Sequence, residues 1–313
     1  MIVNLFIDHE GRLRSGWRFF LALVTLFAAF FISEILAGWI TTNVAIRNVI
    51  SRPVAALIML VVFLLLAKRL DHSSKPNAYI GLGTNGAWPV DLFIGCVVGA
   101  ALVSISISVI AFVGHYQVET APALIVSRWT AVAVVGWIFF FGALAEELGF
   151  RSYPFQRLIE CLGNLAGLIP SSAAKNRSHA IGAWAAILLL AGLFGAVHLA
   201  NPNATFFGFA NTVLIGVFFG LLMVKTGSLW LLWGVHFGWN FTLGALFGLP
   251  VSGINQFSVL WTGQAEGPTW LTGGAYGIEA SATVSVLILL AILVVVWLPK
   301  GPSLSSPNSI QSE

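Results

Sequence analysis

Glu146, Glu147 and Arg151 stand close together, Phe194 precedes His198 by four residues, and His236 precedes Asn240 by four, all within otherwise apolar stretches. Four residues is about one helical turn, so each such pair shares a helix face, as do Glu147 and Arg151. Glu147 can therefore pair with the Arg151 guanidinium, whereas Glu146 sits about 100° round the helix. An unpaired carboxylate in a low-dielectric site suits a general base or acid near neutral pH. His198, buttressed by Phe194, adds an imidazole, and His236 with Asn240 offers an imidazole and an amide toward one point. Together they fit hydrolysis of an acyl bond by activated water. The bland alternatives are acids that salt-bridge to neighbouring helices and histidines that hydrogen-bond in packing. Burying an ionised group near a bilayer centre costs roughly 2.5–3.5 kcal/mol, and three clusters in one chain point to a polar site.

The elements that must position these groups are membrane helices. The chain of 313 residues is 58% hydrophobic and 9% charged, against about 25% charged in an ordinary soluble domain. Its 12 Trp and 24 Phe suit lipid and headgroup depth. The expected fold is all-α, a polytopic integral membrane protein with about eight transmembrane helices. Apolar segments run over 17–40, 53–68, 88–113, 129–150, 181–200, 204–224, 228–248 and 280–298. Pro53 is expected in the first turn of the second and Asp91 near the start of the third. The first reads as an uncleaved helix, since Arg12, Arg14 and Arg18 precede its apolar run from Phe19 to Ile32 and no persuasive cleavage site follows. Of the Lys and Arg residues, only Arg47, Arg52 and Arg128 fall in segments facing away from the N-terminus, so both termini are expected in the cytosol. The net charge of +3 is thereby a matter of topology, and nucleic acid is not an expected partner.

Three regions follow: 1–128 with the first three helices, 129–248 as a core of helices four to seven, and 249–313. The last holds an extracytosolic loop with Trp261 and Trp270, the eighth helix, and a Ser- and Pro-rich cytosolic tail expected to be disordered. Phe155 to Glu160 is amphipathic and expected along the cytosolic interface. Glycines four apart, at 95/99, 216/220, 234/238 and 244/248, encode close helix packing. Gly234 and Gly238 flank His236 and would let a neighbouring helix approach it. Cys96 and Cys161 form neither a disulfide framework nor a metal-binding pattern. Glu34 reads as a protonated or interfacial carboxyl, Asn211 as an interhelical hydrogen-bonder, and His9, His72, His115 and His179 as solvated.

The order E-E-x-x-x-R, F-x-x-x-H, H-x-x-x-N, spread over residues 129–248, resembles the CAAX protease and bacteriocin-processing family of intramembrane endopeptidases, which includes the type II CAAX prenyl proteases. The resemblance implies Glu146 as the base that activates water, assisted by His198. It implies His236 and Asn240 as stabilisers of the tetrahedral oxyanion, with Glu147, Arg151 and Phe194 in support. The implied substrate is a membrane-associated or lipidated protein or peptide, and the expected location is a bacterial plasma membrane. No obligatory cofactor is expected. The alternative is a divalent metal such as zinc on Glu146, His198 and His236, although no H-E-x-x-H is present.

Rival readings are a proton- or ion-coupled transporter, and a non-catalytic scaffold or immunity protein with the same fold. One geometric conflict stands. Glu146 falls near the cytosolic end of its segment, whereas His198 lies ~25 Å from that end of a helix beginning at Ile181. Straight, upright helices with those boundaries cannot bring the two together.

Overall fold

The computed structural model describes residues 5–8, 11–84, 86–113, 115–121, 126–167 and 174–299. Helices α1 (Ser15–Ile40) and α2 (Val44–Arg69) are followed by the one-turn α3 (Pro76–Tyr79), α4 (Trp88–Phe112) and strand β1 (Tyr116–Thr120). Then come α5 (Arg128–Arg151), α6 (Tyr153–Ala166), α7 (Ala174–His198), α8 (Phe206–Thr226) and α9 (Leu229–Phe241). A π-helical turn, Thr242–Leu246, extends α9. Strand β2 (Trp261–Ala265), the short α10 (Thr269–Thr272) and two 3-10 turns lead to α11 (Ala282–Trp297).

The protein is mostly helical and polytopic. All eight expected apolar segments are helical, and among the described residues 6 helices are long and apolar enough to cross a bilayer. The 13-residue α9 and 16-residue α11 are shorter than that. Outside the helices, β1 and β2 pair antiparallel, Tyr116 opposite Ala265 and Thr120 opposite Trp261. Polar N-caps mark several helix starts: the side chains of Asn43, Ser127, Thr205, Ser228 and Ser281 each accept a backbone N–H of the first turn. His9 and the tail from Lys300 lie outside the described residues.

Pro53 is not in the first turn of α2, which begins at Val44. An interior proline forfeits the hydrogen bond to the carbonyl four residues back. That carbonyl belongs to Val49, and the Trp137 indole of α5 donates to it at 3.1 Å. The local defect is thus satisfied by the neighbouring helix, which fixes α2 against α5.

The α4–α9 contact is set by glycines on both sides. A Cβ at Gly95 or Gly99 would press into the backbone of Leu231 or Val235, and one at Gly234 or Gly238 into that of Leu92 or Cys96. Two backbones this close need bare faces on both helices. Gly95 and Gly99 are therefore the matching half of the stripe that carries His236. Register is locked at the helix starts, where the Ser228 hydroxyl donates to Asp91 at 2.6 Å. Gly216 and Gly220 bring α8 onto Ala191 and Ile187 of α7, as packing glycines do. Gly248, by contrast, has φ 65 and ends the helical run in a turn.

Helix α6 does not lie apart along an interface. Tyr153, Phe155, Arg157, Leu158 and Ile159 are buried, and the helix packs between α1 and α7. Its Arg157 reaches Asp71 at 2.7 Å, and Asp71 also binds Arg18 of α1. Tyr79 and Glu160 complete this buried network. Two arginines that count toward the cytosolic charge excess thus tie α1, the segment after α2 and α6 together. At the other end of the α1–α2 hairpin, Glu34 pairs with Arg47 at 3.2 Å, so it is not an isolated membrane carboxyl.

Candidate active site

The conflict over His198 disappears with the helix boundaries. Helix α6 follows α5 after a break at Ser152 (φ −95, ψ −120), and the two together give a 39-residue helical run from Arg128 to Ala166. Glu146 is therefore in the interior of that run, not near its end. Helix α7 begins at Ala174, seven residues earlier than Ile181. It descends antiparallel along α6, with Gly182 against Ile159 and Gly163. The Phe194 ring then meets Phe150 of α5 at 5.1 Å, and one turn later His198 arrives at the level of Glu146.

Glu146, His198, His236 and Asn240 all line one cavity of about 420 Å³. Its apolar wall comes from Leu26, Phe30, Ile138 and Phe139, among others. Glu147 is fully buried behind this cavity. Its Oε1 accepts from Arg151 at 3.2 Å and contacts His236 Nδ1 at 2.7 Å. Arg151, itself 2% exposed, lies over the Phe194 ring at 4.2 Å. Phe219 stacks on the His236 ring at 5.7 Å. The imidazole is held on both its edge and its face.

These contacts set the tautomers. An ionised Glu147 can only accept, so His236 Nδ1 carries the proton and donates. Nε2 of His236 then faces Glu146 at 3.8 Å. His198 Nδ1 sits 2.7 Å from the carbonyl oxygen of Phe194, which likewise only accepts. In the neutral form, Nε2 of each histidine is therefore a lone-pair acceptor. A donor role for His236 Nε2 requires the imidazolium, which the two adjacent glutamates would balance. Asn240, one turn beyond His236, contributes an amide to the cavity lining in either state.

The metal alternative needs Glu146, His198 and His236 to converge. Among the described residues, no three His, Cys, Asp or Glu side chains form a group that could hold a metal ion.

Other lining residues had no motif to announce them. Arg52 of α2, counted from sequence among the cations facing away from the N-terminus, reaches the cavity over Gly142, with its Cδ 3.8 Å from where a Cβ would stand. Glu279, Trp239 and Ser252 also line it. Burial raises the Glu279 carboxyl above its ordinary value, against the hydrogen bonds it accepts and the nearby His198. Asn211 does not reach substrate space. Its amide donates to the carbonyls of Glu279 and Ser281 at 2.8 and 2.9 Å. His72 and His179 are exposed, the latter on α7 rather than in a loop, and His115 is half-buried.

Residues 128–242 match the family model described as type II CAAX prenyl endopeptidase Rce1-like. That segment contains all three motifs and coincides with the resemblance carried by their order. Over this stretch, a little over a third of the chain, the protein is similar to a family of CAAX-type endopeptidases. Neither the curated proteins nor the solved structures include a match to this chain.

Proposed function

We propose that this protein hydrolyses a peptide bond of a membrane-associated or lipidated polypeptide with a water activated by Glu146. One observation carries the proposal: Glu146 lines the same cavity as His198, His236 and Asn240, and its Oε2 is buried without a hydrogen-bond partner among the described residues. Glu147, the other acid of the motif, is taken up by Arg151 and His236. Glu147 Oε2 is also without a hydrogen-bond partner among the described residues, but Glu147 does not line the cavity, so Glu146 is the carboxylate that meets substrate and water there.

In this mechanism Glu146 takes a proton from water, and His198 Nε2 orients that water by accepting its other hydrogen. The hydroxyl oxygen bonds to the scissile carbonyl carbon, whose oxygen becomes an oxyanion. Asn240 Nδ2–H and the His236 imidazolium donate to it. Glu146 returns its proton to the amide nitrogen, the C–N bond breaks, and an amine and a carboxylic acid leave. The reaction uses the chain's own groups and no obligatory metal. With Arg151 assigned to the buried site, the eleven-to-three bias of Lys and Arg supports cytosolic termini, and a bacterial plasma membrane is the proposed setting.

The test compares membrane peptidomes of cells producing wild type, Glu146→Ala or His198→Ala, each with and without chelator. A peptide released only by wild type is the expected result and identifies the substrate. Equal peptidomes across adequate candidate substrates would overturn the proposal. Glu146-dependent ion flux without a cleaved product would replace it with transport. Loss of cleavage with chelator, restored by zinc, would overturn the metal-free mechanism.

A further inference from the structure

The segment between α9 and α11 supplies part of the cavity wall, through Val251, Ser252, Ile254 and Phe257. It does so from a tight turn. Val251 and Ile254 exchange backbone hydrogen bonds at 2.9 Å, and the residues between them, Ser252 and Gly253, have φ 48 and φ 83. Positive φ at both central positions is the requirement of a type I′ turn. Glycine meets it freely, but serine does so only under strain, and such strain persists where surrounding structure over-determines it.

Here the over-determining group is Glu279. Its Oε2 accepts from the Ser252 backbone N–H and from the Ser252 hydroxyl, the latter at 3.1 Å. Its Oε1 accepts from the Trp239 indole at 2.9 Å. Trp239 is one residue before Asn240 and three after His236, on the helix that presents both to the cavity. The backbone carrying Glu279 is fixed in turn, because Asn211 of α8 holds the carbonyls of Glu279 and Ser281, and the Ser285 hydroxyl donates to Asn211 at 2.6 Å. One buried carboxylate therefore joins a strained wall turn to the catalytic face of α9.

We propose that Glu279 is a positioning residue of the hydrolytic site, holding Trp239 and the Ser252 turn so that Asn240 stays aimed into the cavity. This rests on the peptidase reading. An acceptor at this position serves two donors on one side and an indole on the other. Gln fills the same space, but its amide turns a donor toward either Ser252 or Trp239. The linkage then breaks on one side without leaving a void.

Two measurements test it. On the peptide released by wild type, Glu279→Gln is expected to lower kcat about tenfold or more with KM within about twofold, since small misplacements at a reacting centre are costly. Trp239→Phe, which removes the indole donor together with part of the ring, should lower kcat at least as much. In an Asn240→Ala background, Glu279→Gln should have little further effect. Full additivity, or an unchanged kcat in Glu279→Gln, would overturn the proposal. The second readout needs no catalysis. With Cys96 and Cys161 replaced by Ala, an Asn240→Cys probe in native vesicles is labelled with a small thiol reagent. Its labelling rate should change severalfold when Glu279→Gln is added, and an unchanged rate would refute positioning even if no substrate is ever cleaved. Trp239→Phe supplies the same comparison if Glu279→Gln fails to accumulate.

Discussion

Glu147→Ala removes the single carboxylate that Arg151 and His236 both address, at 3.2 and 2.7 Å. Arg151 is then a buried guanidinium without its counter-ion, and breaking such a pair costs about 3–5 kcal/mol. The Phe194 face over Arg151, at 4.2 Å, is in place before and after the substitution and offsets none of this. The expected loss is about 3–5 kcal/mol, or roughly 150- to 5,000-fold in the folding equilibrium. Removing both charges, in Glu147→Leu with Arg151→Met, should return stability to within about 1 kcal/mol of wild type, because apolar replacements of a buried pair are often neutral. Cleavage should not return with it, since His236 Nδ1 still lacks the acceptor that fixes its orientation. Stability is measured by titrating SDS into mixed micelles and following tryptophan fluorescence, and activity on the wild-type cleavage product. Equal instability of the single and double variants would refute the uncompensated-charge argument. A fully active double variant would refute the orienting role of Glu147.

Other perturbations have defined outcomes. Gly238→Ala drives a methyl into the Cys96 backbone, so it should cost about 1–3 kcal/mol by overpacking and lower activity by moving His236; Gly192→Ala, with open space at its Cβ, is the comparison in the same unfolding assay. Asp71→Asn leaves Arg18 and Arg157 short of a shared partner and should destabilise by about 3–5 kcal/mol, read from the same SDS titration. Because burial raises the Glu279 carboxyl, between the ordinary glutamate range and the folded-state value the folded protein retains a proton there that the unfolded chain has released. Above that value it is the carboxylate that accepts from Ser252 and Trp239. Stability should accordingly fall as pH rises from the ordinary glutamate range toward the folded-state value, then level off. Glu279→Gln should remove that slope, and an identical slope in the variant would contradict the assignment.

Much of the site was legible because its parts are local. Glu147 with Arg151, Phe194 with His198, and His236 with Asn240 are each one turn apart, so helix geometry alone puts each pair on one face. The apolar composition likewise settles membrane helices, since only internally hydrogen-bonded elements satisfy a backbone in lipid. What those pairs do to one another is not local. Glu147 meets His236 across 89 positions of chain, and that contact, not the motif, sets the imidazole tautomer. The separation of Glu146 from Glu147 follows from a 100° rotation, but its consequence depends on which helices fill each side. The His198 depth conflict came from ending α5 where its apolar segment ends; the continuation into α6 is a packing outcome, because that helix is polar enough to read as interfacial until α1 and α7 cover it. Glu279 had no signal at all, lying in a loop and reaching Trp239 only through the fold. The sequence by itself determined an all-α membrane protein, its three polar faces and the class of chemistry they suit. Tertiary structure alone decided which carboxylate is occupied, which nitrogen faces the cavity and what closes its wall, because those depend on distances between helices that no spacing along one helix contains.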